Sequence, residues 1–184
     1  MGVRGIRRPK ESSSEEHEVG LLFTGVESLL RIAEQKNLYD GDRLDIVGLI
    51  KQRDDILIKY DSSLDPSISG KLSRSGGKWI ITVNQSHHQN RQRFTLAHEL
   101  AHYVLHKSEG ESFTDTVFFR GMSVNNIEYA ANEFAARLLM PEAKVRKLIQ
   151  EGGAQSIEKL AESFGVSVAA MLYRVKQLGF RTKV

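Results

Sequence analysis

The chain contains no cysteine among its 184 residues. This absence excludes a disulfide framework and any zinc site that is built on thiolates. No apolar run approaches the ~20 residues that a membrane-spanning helix requires, so we expect no membrane partner. The basic residues at the start are not followed by an apolar segment, which argues against a secretory signal peptide. Together these absences favour a cytoplasmic protein.

The composition is typical of a soluble globular protein. Hydrophobic residues make up 40% of the chain and charged residues 27%, both within the usual range. The length is sufficient for one domain with a substantial core. The net charge of +3 is modest, and the positive residues are spread along the chain apart from small clusters near each end. This charge pattern does not require a nucleic-acid partner.

The chain divides into three parts by composition. Residues 1–20 are rich in charge and serine and poor in large apolar groups, which predicts a disordered tail. Residues 21–150 carry the periodic apolar segments and the motifs described below, and we expect them to form the main domain. Residues 151–184 are expected to form a helical extension that packs on this domain.

Hydrophobic spacing predicts an α+β fold. Apolar residues at helical spacing predict helices near 23–37, 44–50, 89–105 and 127–140, followed by three short helices. Asp42 is expected to cap the second of these helices. The β-rich stretch 55–63 predicts one strand. A glycine turn between 67–74 and 78–84 predicts a hairpin of two more strands. A further short strand is expected over 117–119, in the connection that follows. We therefore expect helices packed on a small, mostly antiparallel sheet, with a helix-turn-helix-like C-terminal end.

The stretch RFTLAHELAHYVLH (93–106) contains the pattern H-E-x-x-H at His98, Glu99 and His102. Residues i and i+4 share one helix face, so both imidazoles can reach a single cation at about 2.0–2.1 Å. Glu99 lies about 100° round the helix, where it can address a water on the metal without being a ligand. The alternative is that these are ordinary polar residues on a core helix. A catalytic zinc site would require a third protein ligand from elsewhere.

Several residues compete for the place of the third ligand. His106 lies two turns from the first motif histidine, so one cation cannot easily reach both. His87 and His88 precede the helix in a polar segment and suit ordinary loop residues equally well. Glu133 points about 140° away from Glu128 on the next long helix, and we expect it to face solvent. Glu128 is therefore the favoured choice.

The helix face around Glu128 supports this choice. Glu128, Ala131, Asn132 and Ala135 follow one another at i, i+3, i+4 and i+7 on one face. Small alanines there would allow this helix to approach the histidine helix closely. Asn132 would then be placed to accept a hydrogen bond from the distal nitrogen of a ligating histidine. The alternative for Asn132 is a polar residue on the helix surface.

The histidine stretch together with EYAANEFAARLLMP (128–141) resembles the ImmA/IrrE family of zinc metallopeptidases. The likeness extends through KWIITVN (78–84) and through LAESFGVSVAAMLYRVKQLGF (160–180), and it covers most of residues 24–180. It implies a metallopeptidase domain over 21–150. It also implies one Zn²⁺ per chain, with His98, His102 and Glu128 as its ligands. Glu99 is then the catalytic carboxylate. Manganese or iron would also accept two imidazoles and a carboxylate.

A tetrahedral oxyanion would require a hydrogen-bond donor besides the metal. Tyr103, His106 and Arg120 are the candidates, and the sequence does not choose among them. Tyr103 points to another helix face, where packing in the core is an equally simple role. His106 is also suited to bonding the backbone at the end of its helix.

The segment SIEKLAESFGVSVAAMLYRVKQLGF (156–180) resembles a helix-turn-helix. Ala161 and Gly165 stand four apart, as the tight turn requires, and Ser167 can cap the second helix. That helix opens on apolar residues, which offer almost no hydrogen bonds to base edges. We therefore expect a structural or partner-docking helical pair rather than direct binding of DNA through 156–180.

These observations support two hypotheses of different kinds. The first is a metallo-endopeptidase that cuts a DNA-binding repressor with a helix-turn-helix, the substrate type that the family resemblance implies. Its cut would relieve repression of a mobile element, a phage or a stress regulon. The second is a non-catalytic DNA- or protein-binding regulator with a structural metal, and a toxin–antitoxin component is also compatible. Glu99 favours the first hypothesis, because a structural metal site has no use for an acid at that position.

Overall fold

The structure is a computed structural model that describes residues 23–106, 112–114, 122–151 and 156–181. The tail predicted over 1–20 and the short strand predicted over 117–119 lie outside these residues. The helices are α1 (Val26–Gln35), α2 (Ile46–Ile50), α3 (Gln89–His106), α4 (Met122–Leu139), α5 (Glu142–Glu151), α6 (Ile157–Phe164) and α7 (Val168–Gln177). The strands are β1 (Tyr39–Asp40), β2 (Arg43–Leu44), β3 (Ile56–Asp61), β4 (Gly70–Ser75), β5 (Lys78–Asn84) and β6 (Ser112–Thr114).

The larger sheet has four strands in the order β3-β5-β4-β6, and β1 and β2 form a separate antiparallel pair. Strand β4 pairs antiparallel with both β5 and β6, whereas β3 pairs parallel with β5. The predicted hairpin is confirmed, because Ser75 pairs with Lys78 across a two-residue turn. Gly76 and Gly77 in this turn have φ values of 58° and 79°, the left-handed conformations of a type I′ turn. The expected α+β fold with a mostly antiparallel sheet is therefore confirmed.

Several local predictions differ from the structure. The connection after α3 holds β6 ahead of the strand predicted over 117–119, and α4 begins at Met122, five residues before the predicted Ile127. The predicted cap of α2 is wrong, since Asp45 rather than Asp42 accepts the hydrogen bond from the Gly48 N–H, at 2.9 Å. Leu44 fits the apolar spacing of the predicted helix but belongs to β2, so α2 begins two residues later, at Ile46.

Helix α3 lies at the centre of the molecule. Every residue from 95 to 103 is buried, because the helix packs against α2, α4 and strands β4 and β5. A helix enclosed on all sides also buries its polar side chains, and these require hydrogen-bond partners or ligands. The predicted metal motif therefore lies in the core rather than on the surface. Among the described residues, no helix is both long and apolar enough to cross a membrane.

The helical pair α6–α7 is tied to the rest of the molecule by two arginines. Arg93 of α3 donates to the carbonyl of Gly165 at 3.0 Å, in the turn between α6 and α7, and to the carbonyl of Leu44 at 2.8 Å. Arg174 of α7 is buried and donates to the carbonyl of Met140 at 3.0 Å, just after α4. Ser167 caps α7 as predicted, since its hydroxyl accepts from the Ala170 N–H at 3.1 Å. The domain boundary near residue 151 stays a prediction.

Candidate metal centre

Helix α3 presents two imidazoles to one point. The Nε2 atoms of His98 and His102 lie 3.0 Å apart, and the two rings meet edge to face with centroids 4.7 Å apart. Both side chains are buried. This is the arrangement that spacing by four residues on a helix predicts.

Helix α4 brings a carboxylate to the same point. Glu128 Oε2 lies 3.1 Å from His98 Nε2, and its Oε1 lies 3.4 Å from His102 Nε2. Ala131 and Ala135 on this face of α4 are fully buried, so no bulky side chain separates the two helices. Burial opposes ionisation of Glu128, but the adjacent rings of His102 and His98 outweigh it and lower the pKa of Glu128 to about 2. Glu128 is therefore an anionic donor at neutral pH.

The three side chains fit a single tetrahedral cation. Donors placed tetrahedrally at about 2.0–2.1 Å from a zinc ion stand about 3.3 Å from one another. The two Nε2 atoms stand 3.0 Å apart, and each has one oxygen of the Glu128 carboxylate nearby, Oε2 at 3.1 Å from His98 and Oε1 at 3.4 Å from His102. Within the described part of the chain, the cluster of possible metal ligands has three members, His98, His102 and Glu128. A catalytic site has three protein ligands and leaves the fourth position for water or substrate, and the 32% exposure of the Glu128 side chain gives solvent a route to the cluster.

Asn132 holds the ring of His98. Its Oδ1 lies 3.2 Å from His98 Nδ1. Because an amide oxygen can only accept a hydrogen bond, this contact places the ring proton on Nδ1 and leaves the Nε2 lone pair for a cation. The contact occurs where the helix spacing predicts it, while its effect on metal binding stays a prediction.

Glu99 is completely buried on the turn of α3 that faces β4. A Cβ atom on Gly70 would stand 3.4 Å from Glu99 Oε1, 2.4 Å from Thr95 Cγ2 and 2.7 Å from the carbonyl oxygen of Thr82. Glycine at the start of β4 therefore allows the strand to lie directly against this turn of the helix. The carboxyl group of Glu99 therefore lies buried between its own helix and the start of β4.

Three competing candidates for the third ligand form hydrogen bonds away from the cluster. His87 Nε2 lies 3.0 Å from the carbonyl oxygen of Pro66. His88 Nδ1 accepts from the Asn90 N–H at 3.2 Å, at the start of α3. Glu133 accepts from the side-chain amide of Gln177 on α7. The structure brings none of these three into the cluster.

Of the three candidate oxyanion donors, Tyr103 is the one whose side chain the structure describes, and its hydroxyl bonds elsewhere. Tyr103 is fully buried, donates its hydroxyl to Asp55 Oδ2 at 2.8 Å and packs edge to face against Trp79. Burial, and then the hydrogen bond with Asp55, raise the pKa of Tyr103 to about 12. His106 is the last residue of α3, and its side chain, like the whole of Arg120, lies outside the described residues.

The structure contains a cavity beside the cluster that the sequence does not predict. This α3–α4–α7 cavity has a volume of ≈ 320 Å³ and is bounded by helices α3, α4 and α7. Asn132, which holds His98, also lines it. Two signals were present in the sequence: Phe94 precedes His98 by one helical turn, and Tyr129 directly follows Glu128. The wall supplied by α7 had no sequence signal, because it depends on how the C-terminal helices pack.

A family model described as the IrrE N-terminal-like domain, Peptidase_M78, matches residues 52–176. The chain belongs to this family. The match includes α3, α4 and the helical pair α6–α7 almost to its end. The ImmA/IrrE resemblance expected from the sequence is thereby confirmed.

Relatives of known name agree with the family assignment. The chain is 30% identical over 101 residues to the radiation response metalloprotease IrrE of Deinococcus radiodurans, a match that covers 53% of this chain but 31% of IrrE. It is 22% identical over 157 residues to the metallopeptidase ImmA of Bacillus subtilis, which covers 84% of this chain and 83% of ImmA. A solved structure, a Mycobacterium tuberculosis transcriptional regulator, shares the fold with a TM-score of 0.58 at 16% identity, over 82% of this chain and 46% of that one.

Proposed function

We propose that this member of the IrrE N-terminal-like family is a zinc-dependent endopeptidase. The observation that carries the proposal is the convergence of His98, His102 and Glu128 at separations that suit one tetrahedral cation. Two relatives are named as a metalloprotease and a metallopeptidase, which supports the same chemistry. Zinc rather than manganese or iron is proposed because two imidazoles and one carboxylate form a common catalytic zinc site.

The residues of the chain have separate tasks in this reaction. The two histidines and Glu128 would hold the zinc, which would supply Lewis acidity for polarising a peptide carbonyl and for acidifying the attacking water. Glu99 accepts the proton of the attacking water and then delivers a proton to the leaving amine. Asn132 keeps the proton of His98 on Nδ1 and so keeps Nε2 available. No covalent intermediate on the protein is required.

We propose a DNA-binding repressor with a helix-turn-helix as the substrate. Its cleavage would relieve repression of a mobile element, a phage or a stress regulon, and the name of the relative IrrE, a radiation response metalloprotease, supports a stress-linked role. Such a substrate places the reaction in the cytoplasm. Direct DNA binding by α7 is less well supported, because Arg174 is buried and the exposed residues that open the helix, Val168 and Ala169, offer no side-chain hydrogen bonds to bases.

The test combines metal analysis with cleavage of a candidate repressor. The purified chain is analysed for bound metal by mass spectrometry, then incubated with helix-turn-helix proteins encoded by neighbouring genes. We expect Glu99→Gln to retain zinc and lose cleavage by about 100-fold or more, because a positioned general base contributes at least that factor. His98→Ala should lose both the metal and the activity. Glu158→Gln, at an exposed position of α6, is the control and should behave as the wild type.

Two outcomes would contradict the proposal. A Glu99→Gln variant that still cleaves the repressor would remove the assigned general base. A wild-type chain that binds zinc stoichiometrically but cuts none of the candidate repressors would favour the non-catalytic regulator with a structural metal.

A further inference from the structure

The α3–α4–α7 cavity is the feature that the proposed chemistry leaves unused. Its volume is ≈ 320 Å³, near the lower end of the ~300–1,000 Å³ that ligand pockets occupy. Its lining is mostly apolar and comes mainly from three helices. The lining includes Phe94 of α3, Tyr129, Asn132 and Ala136 of α4, and Ala170 and Tyr173 of α7. A space of this size is too small for a helix of a partner protein, but it suits one large apolar side chain.

The cavity adjoins the metal cluster through Asn132 and lies one helical turn away along both α3 and α4. Asn132 forms part of its wall and accepts the hydrogen bond of His98. Phe94 precedes His98 by one turn of α3, and Asn132 follows Glu128 by one turn of α4. One helical turn is about 5.4 Å, and an extended polypeptide advances about 3.3 Å per residue. An extended substrate at the cluster would therefore place a side chain in the cavity within about two residues of the bond that is cut.

The rim of the cavity carries two exposed aromatic residues. Tyr129 is 60% exposed and Tyr173 is 52% exposed, although both are large side chains with apolar rings. Aromatic rings left partly open to solvent beside an apolar space are typical of binding surfaces. Their position favours an occupant that arrives from solution with an apolar side chain.

We propose that this cavity is a specificity pocket, which binds a large apolar side chain of the polypeptide substrate close to the cleaved bond. The inference rests on the proposed peptidase function and specifies its substrate. Substrates with phenylalanine, leucine or methionine at that position are preferred over those with alanine or aspartate. The preference follows from burial, because an apolar side chain gains free energy in proportion to the apolar area that it removes from water.

Helix α7 is held in place as one wall of this pocket. Arg174 follows Tyr173 directly and anchors the helix through the carbonyl of Met140. Gln177, one turn further on, donates to Glu133 of α4. These contacts fix Ala170 and Tyr173 opposite α4. The helical pair that resembles a helix-turn-helix thus selects the substrate in this protein.

The test measures binding and does not require turnover. A series of peptide hydroxamates, in which the hydroxamate binds the metal and the adjacent residue is Trp, Phe, Leu, Ala or Asp, is titrated into the zinc-loaded chain by calorimetry. We expect the Phe and Leu probes to bind about tenfold or more tightly than the Ala probe. Ala170→Phe fills the pocket and should abolish this preference. Ala169→Phe, the same change at the exposed neighbouring position, should preserve it.

A second variant keeps the test decisive if Ala170→Phe does not fold. Tyr173→Ala removes an exposed ring from the rim, so it should fold, and it should shift the preference towards a larger Trp probe. The proposal is overturned if the wild type shows no preference among the probes, or if the preference is unchanged in the folded variants at positions 170 and 173. A side-chain preference without any proteolysis would refute the peptidase function alone, whereas proteolysis without a preference would refute the pocket alone.

Discussion

The two ring nitrogens of His98 have different partners, and this division decides what the residue can do. Nδ1 faces the amide oxygen of Asn132 at 3.2 Å, while Nε2 points at the carboxylate of Glu128 and at His102. Neutral imidazole binds a cation through the nitrogen that lacks the proton. We therefore expect the hydrogen bond to Asn132 to fix both the tautomer of His98 and the orientation of its ring.

Removal of this hydrogen bond should weaken metal binding without removing a ligand. We expect Asn132→Ala to lower the affinity for zinc by about 10–100-fold, because the His98 ring loses the partner that fixes its tautomer and its orientation. Competition with a fluorescent zinc chelator measures the change. Asn126→Ala, at an exposed position of the same helix, is the matched control and should leave the affinity unaltered. Equal affinities for the Asn132 variant and the wild type would show that the contact has no role in metal binding.

Helical periodicity explains why these residues were accessible from the sequence. The proposed site residues lie together because each pair on one helix is four residues apart, a spacing that can be counted; these are His98 with His102, and Glu128 with Asn132. Tyr103 could be assigned only to another face. Its hydrogen-bond partner, Asp55, precedes β3 and lies 48 positions away in the sequence, and no local pattern encodes such a contact.

At the scale of elements, the site depends on how closely α4 approaches α3. Ala131 and Ala135 are completely buried at the interface of the two helices, where small side chains allow the backbones to come near. The third ligand comes from α4, so the spacing between the helices sets the distance from Glu128 to the histidines. The proposed metal site therefore forms only when α3 and α4 pack against each other.

A larger side chain at this interface should disturb both stability and metal binding. We expect Ala131→Leu to reduce the free energy of unfolding by about 1–3 kcal/mol, the usual cost of inserting extra methylenes into a packed core. It should also weaken zinc binding, because Glu128 moves away from His98 and His102. Urea unfolding and chelator competition measure the two effects. Ala130→Leu, at the partly exposed neighbouring position, should change neither, and a tight zinc site in Ala131→Leu would contradict the argument.

The elements that could be predicted are those with a strong local signal. The glycine turn between β4 and β5 and the long apolar pattern of α3 each specify their element without reference to the rest of the chain. The parallel pairing of β3 with β5 does not follow from local sequence, because β5 inserts between β3 and β4 only when the sheet assembles. Strand β6, with three residues, is too short to show a period.

At the scale of the whole molecule, a bound metal would connect two helices that are distant in sequence. His102 and Glu128 belong to α3 and α4, and the unfolded chain does not hold them together. A ligand that binds only the folded state stabilises it by about 2.7 kcal/mol when its concentration is 100 times its dissociation constant. Metal binding and global stability should therefore be linked.

This linkage predicts a thermal shift. Saturating zinc should raise the midpoint of thermal unfolding by roughly 5–10 °C for a chain of this size, and a chelator should reverse the rise. Glu99→Gln should show the same shift as the wild type, since Glu99 is not a ligand, while His102→Ala should show none. Differential scanning fluorimetry measures all three proteins. A full shift in His102→Ala would place the stabilising metal somewhere other than in this cluster.

The attachment of α7 beside the metal cluster has a consequence for how this protein can diverge. The metal ligands, Glu99 and Asn132 lie between residues 98 and 132, whereas Ala170 and Tyr173 belong to the last helix of the chain. Substitutions in α7 can therefore alter which polypeptide is accepted and leave the bond-breaking groups untouched. On the proposed roles, one wall of the specificity pocket is encoded apart from the hydrolytic groups, so changes in α7 offer a route to a new target that does not rebuild the catalyst.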